Sequence, residues 1–262
     1  MVTLRDVIHE HHPSWKFPAT GWTPVLAVGS NAGVEQLARK YPPDLFPEGV
    51  VIPVVMVVLE DFDVVYAPLI SSYGSATATL EFSPGTRVHI HVTYLDDTAL
   101  QRMHETEGAY NLLQIDGINL ILHDTDVPLA TSVLTYNHQD GSLYLPPSML
   151  GCNGDITATT PVALAEISAE KRLYPALSQR DMQDVIRRVT SGNGTGARED
   201  NSDEHRENDE MSIHDAWVTQ NLTDAASRSR VVRELTSRAA PLKYPNAQVL
   251  GTLGDRFSQS VK

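Results

Sequence analysis

The sequence predicts an α+β fold built on a small closed or nearly closed sheet, with helices added late in the chain. Three observations carry this. Apolar, β-branched stretches of mixed length follow one another between residues 23 and 136. Only short helical patterns separate them, so the strands have each other to pair with rather than long crossover helices. Longer helical patterns then gather after residue 162.

Composition narrows the functional classes. The chain has 262 residues, 41% of them hydrophobic, which is enough for a core. No apolar run reaches membrane-spanning length, so no membrane span is expected. The N-terminus shows no basic region followed by an apolar stretch, so no secretory signal is read there. Cys152 is the single cysteine, which excludes an intrachain disulfide and fits a reducing, cytoplasmic compartment. It reads as a packing residue. A net charge of −13 argues against nucleic acid and anionic membranes as partners.

Residues 1–20 are polar and carry His9, His11 and His12 beside Glu10. No second cluster at ligand spacing follows, so a flexible leader is expected and no metal site. The main domain is expected over 21–190. Thr23–Val28 reads as a strand that runs into Gly29-Ser30-Asn31-Ala32-Gly33. Val34, Leu37, Ala38 and Tyr41 then mark a short amphipathic helix. Strand, Gly/Ser/Asn turn and helix together make a geometry that receives anions, through free N–H groups and the helix dipole. The turn lacks the lysine and spacing of a P-loop and is not G-x-G-x-x-G. A small carboxylate therefore fits it better than a triphosphate.

Tyr41-Pro42-Pro43 ends the helix. Strands are expected at Val50–Leu59 and Phe62–Tyr66, then a small-residue loop over Ser71–Ala78. Ala78–Phe82, a Ser83-Pro84-Gly85-Thr86 turn and Arg87–Tyr94 read as a hairpin. Asn111–Ile115 and Ile118–His123 flank an Asp116-Gly117 turn, and Ala130–Tyr136 follows. Pro146–Pro161 reads as loop, and Val162–Tyr174 and Ser178–Val189 as helices. Ser178 and Asp181 form a capping-box-like start. Residues 191–211 are Gly-rich and then acidic, which predicts a disordered linker. In 212–262 one helix is expected over Ser212–Arg238, with Ile213, Trp217 and Leu222 free to dock on the domain or to form a homo-oligomer contact. A loosely ordered tail follows.

The segment from Leu95 to Tyr110 carries the chemistry. Asp96 or Asp97 caps a helix that Gly108 is placed to stop in the left-handed conformation. Glu107 falls about 20° around the helix from Leu100, whereas Glu105 falls about 140° away. Glu107 is thus expected to face the core, where a carboxylate must be paired or must serve as a general base shielded from water. Glu105 is expected to face solvent.

Three separated pieces resemble the γ-glutamylcyclotransferase-like family across residues 22–136. They are Val25-Leu26-Ala27-Val28-Gly29-Ser30-Asn31, Ala78-Thr79-Leu80-Glu81-Phe82-Ser83-Pro84-Gly85-Thr86-Arg87-Val88, and Leu95-Asp96-Asp97 through Glu107-Gly108-Ala109-Tyr110. The resemblance implies a small mixed β-barrel with flanking helices. It also implies cofactor-free cyclisation of a γ-glutamyl group to 5-oxoproline, with release of an amine or amino acid. By position, Glu107 matches the catalytic glutamate, and Gly29, Ser30 and Asn31 match the loop that holds the glutamyl end. Val28 stands where the family loop has tyrosine, and Ser75 and Ala76 stand where many members have glycine. Tyr110 follows Glu107 by three residues, a shorter spacing than usual in the family. It and Val28 complete the expected substrate-binding set. Two alternatives stay open on the same scaffold: a catalytically silent binding or regulatory protein, and an enzyme acting on another amide bond.

Overall fold

The computed structural model describes residues 21–150, 158–191 and 203–253, with only the backbone over 203–212. The histidine-rich leader, Cys152 and residues 192–202 of the acidic stretch lie outside the described residues.

The centre of the molecule is a closed five-stranded barrel. Its strands are β1 (Thr23–Ala27), β2 (Val54–Ile70), β3 (Ala76–Leu95), β4 (Tyr110–Leu122) and β5 (Pro128–His138). The ring runs β2-β3-β1-β5-β4 and closes where β4 returns to β2, with Leu59 opposite Leu120. β1 and β5 are parallel and the other pairs antiparallel, so the barrel is mixed. Leu26, Leu59, Val88, Val92, Ile115 and Leu120 fill it and are almost entirely hidden from solvent. A second apolar cluster joins Val25, Tyr41, Leu95, Ala99, Met103 and Tyr136. It seats α1 (Val34–Lys40) and α2 (Asp97–Thr106) against the barrel.

Several expected breaks are bends instead. The segments expected as two strands before residue 70 form the single strand β2. The expected hairpin around Ser83–Thr86 is the continuous strand β3. Asp61 adopts φ 64°, and its carboxylate accepts the Gly85 N–H at 2.7 Å. The register jumps there from Glu60↔Arg87 to Phe62↔Phe82, a bulge that accommodates Pro84 without ending the ladder. The true hairpin turn lies at Ser71–Ser75, closed by Ser71 N–H to Ser75 O at 2.9 Å. Likewise Asp116-Gly117 is a bulge within β4, with Gly117 at φ 69°.

The helix expected over Val162–Tyr174 is absent. That segment is preceded by β6 (Ser142–Leu145), the one-turn helix α3 (Pro147–Leu150) and β7 (Thr160–Pro161); it holds the short strands β8 (Ala163–Leu164) and β9 (Ala169–Glu170), and β10 (Ala176–Leu177) follows. β8 pairs β2 and β9 pairs β3, and the Arg172 guanidinium grips Asp63 at 2.9 and 3.1 Å. Sheet edges and this ion pair outweigh a helical pattern that nothing would have covered.

α4 (Gln179–Thr190) starts on Ser178, whose Oγ accepts the Asp181 N–H. The helix expected from Ser212 is two, α5 (Asp203–Thr223) and α6 (Ala225–Thr236). They are separated by Asp224, which caps the second. Trp217, Val231 and Leu235 join the main core, whereas Ile213 is half exposed. Where a loosely ordered tail was expected, its described part carries two strands: β11 (Ala239–Ala240) pairs β6, and β12 (Ala247–Thr252) pairs β4. No helix among the described residues is long and apolar enough to cross a membrane.

Candidate functional site

β1 ends at the rim of the barrel, and the chain turns there through Gly29. That residue sits at φ +81°, and a β-carbon on it would meet the Ala78 Cβ at 3.3 Å. Two constraints therefore favour glycine: a left-handed backbone and close approach to β3. Ser30–Ala32 form one short 3₁₀ turn that delivers the chain into α1.

α2 starts as read from the sequence, with the Asp96 carboxylate accepting the Ala99 N–H at 2.8 Å. Its end differs. The last helical residue is Thr106, Glu107 is the cap at φ −109°, and Gly108 does not adopt the left-handed conformation. The chain instead passes directly into β4, with the Tyr110 N–H bonded to Glu107 O at 2.9 Å. Glu107 still points inward and is 7% exposed. Glu105 faces outward and pairs with Arg102 at 2.9 Å.

These pieces meet in one cavity of about 590 Å³. Val28, Gly29, Ser30 and Asn31 line one side of it, and Glu107 and Tyr110 another. The Asn31 amide donates to Glu107 Oε1 at 3.0 Å, across 76 residues of sequence. Leu69, Tyr73, Leu164 and Ile167 give the cavity an apolar flank.

One functional candidate was not read from the sequence. Lys40 is 5% exposed, and its ammonium forms a buried ion pair with Glu107 Oε1. It also donates to Asn31 Oδ1 at 2.8 Å and to Met103 Sδ at 3.2 Å. The apolar spacing had placed Val34 and Ala38 on the inner face of α1, but Val34 is 82% exposed and Ala38 is exposed too. The inner face is Leu37, Lys40 and Tyr41. Lys40 does lie three residues after Leu37, a spacing that would have marked it as inward.

Aromatic hydroxyls complete the lining. Tyr110 OH donates to Ala78 O at 3.2 Å, and Tyr136 OH lies 2.8 Å from His104 Nδ1. Burial pushes the Tyr110 phenol above its ordinary range; the Thr77 hydroxyl opposes this and the Glu107 charge reinforces it. Burial does the same to Tyr136, again with the Glu107 charge adding. Both phenols therefore stay protonated and able to donate at neutral pH. Among the described residues, no three His, Cys, Asp or Glu side chains are grouped to hold a metal ion.

The assembled site sets an amide turn, a buried carboxylate and neutral hydroxyl donors around a space that suits a small polar ligand. The chain is similar to a solved structure titled gamma-glutamyl cyclotransferase. That similarity is 11% in identity, spans 90% of this chain and 97% of the other, and has a TM-score of 0.35. A crystal structure of an uncharacterized Homo sapiens protein is similar at 11% identity, over 91% of this chain and 99% of that one, with a TM-score of 0.36. A solution structure from Arabidopsis thaliana is 16% identical over 45% of this chain and 69% of that one, with a TM-score of 0.33. No protein-family model matches the chain, and no curated protein matches it. At these identities no residue role passes from any of them to this chain.

Proposed function

We propose that the protein is a γ-glutamylcyclotransferase-type enzyme with Glu107 as general acid and base. The observation that carries this is the meeting of the Gly29-Ser30-Asn31 turn and the Glu107 carboxylate in one cavity. The resemblance of both segments to that family adds to it.

The chemistry needs few parts. The substrate's α-ammonium gives a proton to Glu107, and the freed amine attacks its own γ-carbonyl carbon. N–H groups of the turn hold the α-carboxylate or the developing oxyanion, and the Tyr110 hydroxyl joins them by turning from Ala78 O. The bond to the leaving nitrogen breaks as Glu107 returns the proton to it, and the ring nitrogen gives up its second proton, which the released amine takes to leave as an ammonium. The products are 5-oxoproline and an amine or amino acid, and no cofactor enters the balance. Ring closure is intramolecular, so holding the glutamyl chain folded supplies much of the rate. The single cysteine fits a cytoplasmic setting for this activity.

A second reading is a silent binding protein on the same fold. The Lys40 ammonium on Glu107 favours it, because a carboxylate already engaged by a cation can serve as a fixed wall. The two separate on 5-oxoproline release from a panel of γ-glutamyl amines and peptides. Release from at least one compound is expected. Binding without release across the panel would favour the silent protein.

A further inference from the structure

We infer that Lys40 is a positioning residue for Glu107, directing Oε2 of that carboxylate toward the reacting nitrogen. The inference rests on the reading of Glu107 as the acid and base.

The geometry is specific. α2 holds Lys40 at both ends: Arg102 Nε donates to the Lys40 carbonyl at 2.8 Å, while Glu107 and Met103 take its ammonium. Asn31 bridges the pair by accepting from Lys40 and donating to Glu107. Both contacts to the carboxylate fall on Oε1. Among the described residues Oε2 has no hydrogen-bond partner, so it is the oxygen left for a ligand. A fixed Oε1 locks the carboxylate plane and leaves a single orientation for Oε2.

Stability is a poor reason for this arrangement. Removing two charges from water is costly, and an apolar pair of similar volume often does as well or better. The choice of lysine is also informative. Its compact ammonium aims three donors in three directions, which a planar guanidinium cannot do. A carboxylate, an amide oxygen and a thioether occupy those three directions here.

The test uses the full chain and the best γ-glutamyl substrate from the panel, with kcat and KM measured from about pH 5 to pH 9. Lys40→Met is expected to lower kcat about 100-fold, the scale of a small misplacement of a reacting group, with KM changed less than about threefold. A purely structural lysine would lower the melting temperature and leave kcat in place, which would overturn the inference. If Lys40→Met does not fold, Lys40→Arg decides. It keeps the charge but loses the three-directional donors, so kcat falls about tenfold with KM little changed, and wild-type kcat in that variant would overturn the inference. A wild-type protein that releases 5-oxoproline from no compound removes the functional reading and this inference with it. An active wild type with an indifferent Lys40→Met removes the inference alone.

Discussion

Glu107 and Glu81 are the two buried glutamates among the described residues, and they are held in opposite ways. Glu107 ends a helix, borders a cavity, and takes a lysine ammonium and an amide on one oxygen. Glu81 lies within β3 and is 3% exposed. Its Oε1 accepts the Phe82 N–H at 3.1 Å. Burial pushes the Glu81 carboxyl above its ordinary value. The Ser142 hydroxyl, the Phe82 N–H and the Lys243 charge oppose this less than burial drives it, and a carboxylate so sealed is a cost to the fold. One with its charge compensated on Oε1 and bordering a cavity matches what the proposed general base requires. Asp63, opposite Glu81 on β2, shows a third arrangement: fully buried, it is gripped bidentately by Arg172 and has no role at the cavity.

Exchanging each glutamate for its amide gives the largest expected contrast. Glu107→Gln keeps the shape and loses the base, so 5-oxoproline release should fall about 1000-fold or more while substrate binding stays within about tenfold. Glu81→Gln should leave turnover within about twofold. A fully active Glu107→Gln protein would break the comparison at its root.

The nature of the leaving group sharpens it next. Val28 lies in the cavity wall, where the family resemblance would place a tyrosine, and Leu164 and Ile167 also contribute apolar surface. A γ-glutamyl compound with an apolar amine is expected to exceed glutathione about tenfold in kcat/KM. A clear preference for glutathione in paired assays would overturn this reading of Val28.

Stability against pH tests the other side. The folded carboxyl of Glu81 titrates above its unfolded value, so the fold favours its protonated form. The contribution is complete below the ordinary glutamate range and is lost as pH rises through the folded value. Glu81→Gln should therefore melt above the wild type at pH 8, with the gap closing as pH falls toward 5. A constant gap across that range would show that Glu81 does not titrate in this way.

The smallest effect is expected at Glu105, which faces water against Arg102. Glu105→Gln should change kcat less than about twofold and stability by less than about 1 kcal/mol. A large kinetic effect would show that Arg102, which also touches the Lys40 carbonyl, transmits it.

The fold was most legible where a local rule and the tertiary outcome coincide. Asp96 and Ser178 cap helices because a short polar side chain before a helical pattern can satisfy free N–H groups wherever the helix lies. It was least legible where a turn signal is also a bulge signal. Ser83-Pro84-Gly85-Thr86 and Asp116-Gly117 contain residues that reverse a chain or bend a strand, and only the neighbouring strands select between the two. Val162–Tyr174 has an acceptable helical pattern, yet the uncovered edges of β2 and β3 draw it into strands.

The candidate site divides along the same line. By itself, the sequence determined that a Gly-Ser-Asn turn follows the first strand, that Glu107 ends a helix facing inward, and that Glu105 faces out. All three follow from spacing along a single element. Only the tertiary structure decided that Asn31 and Glu107 touch across the barrel rim, that α1 is turned so that Lys40 faces inward instead of Val34, and that one carboxylate oxygen is occupied while the other is open. Periodicity assigns a residue to a face by its hydrophobicity, and it hides a buried charge until the partner that compensates it is in place.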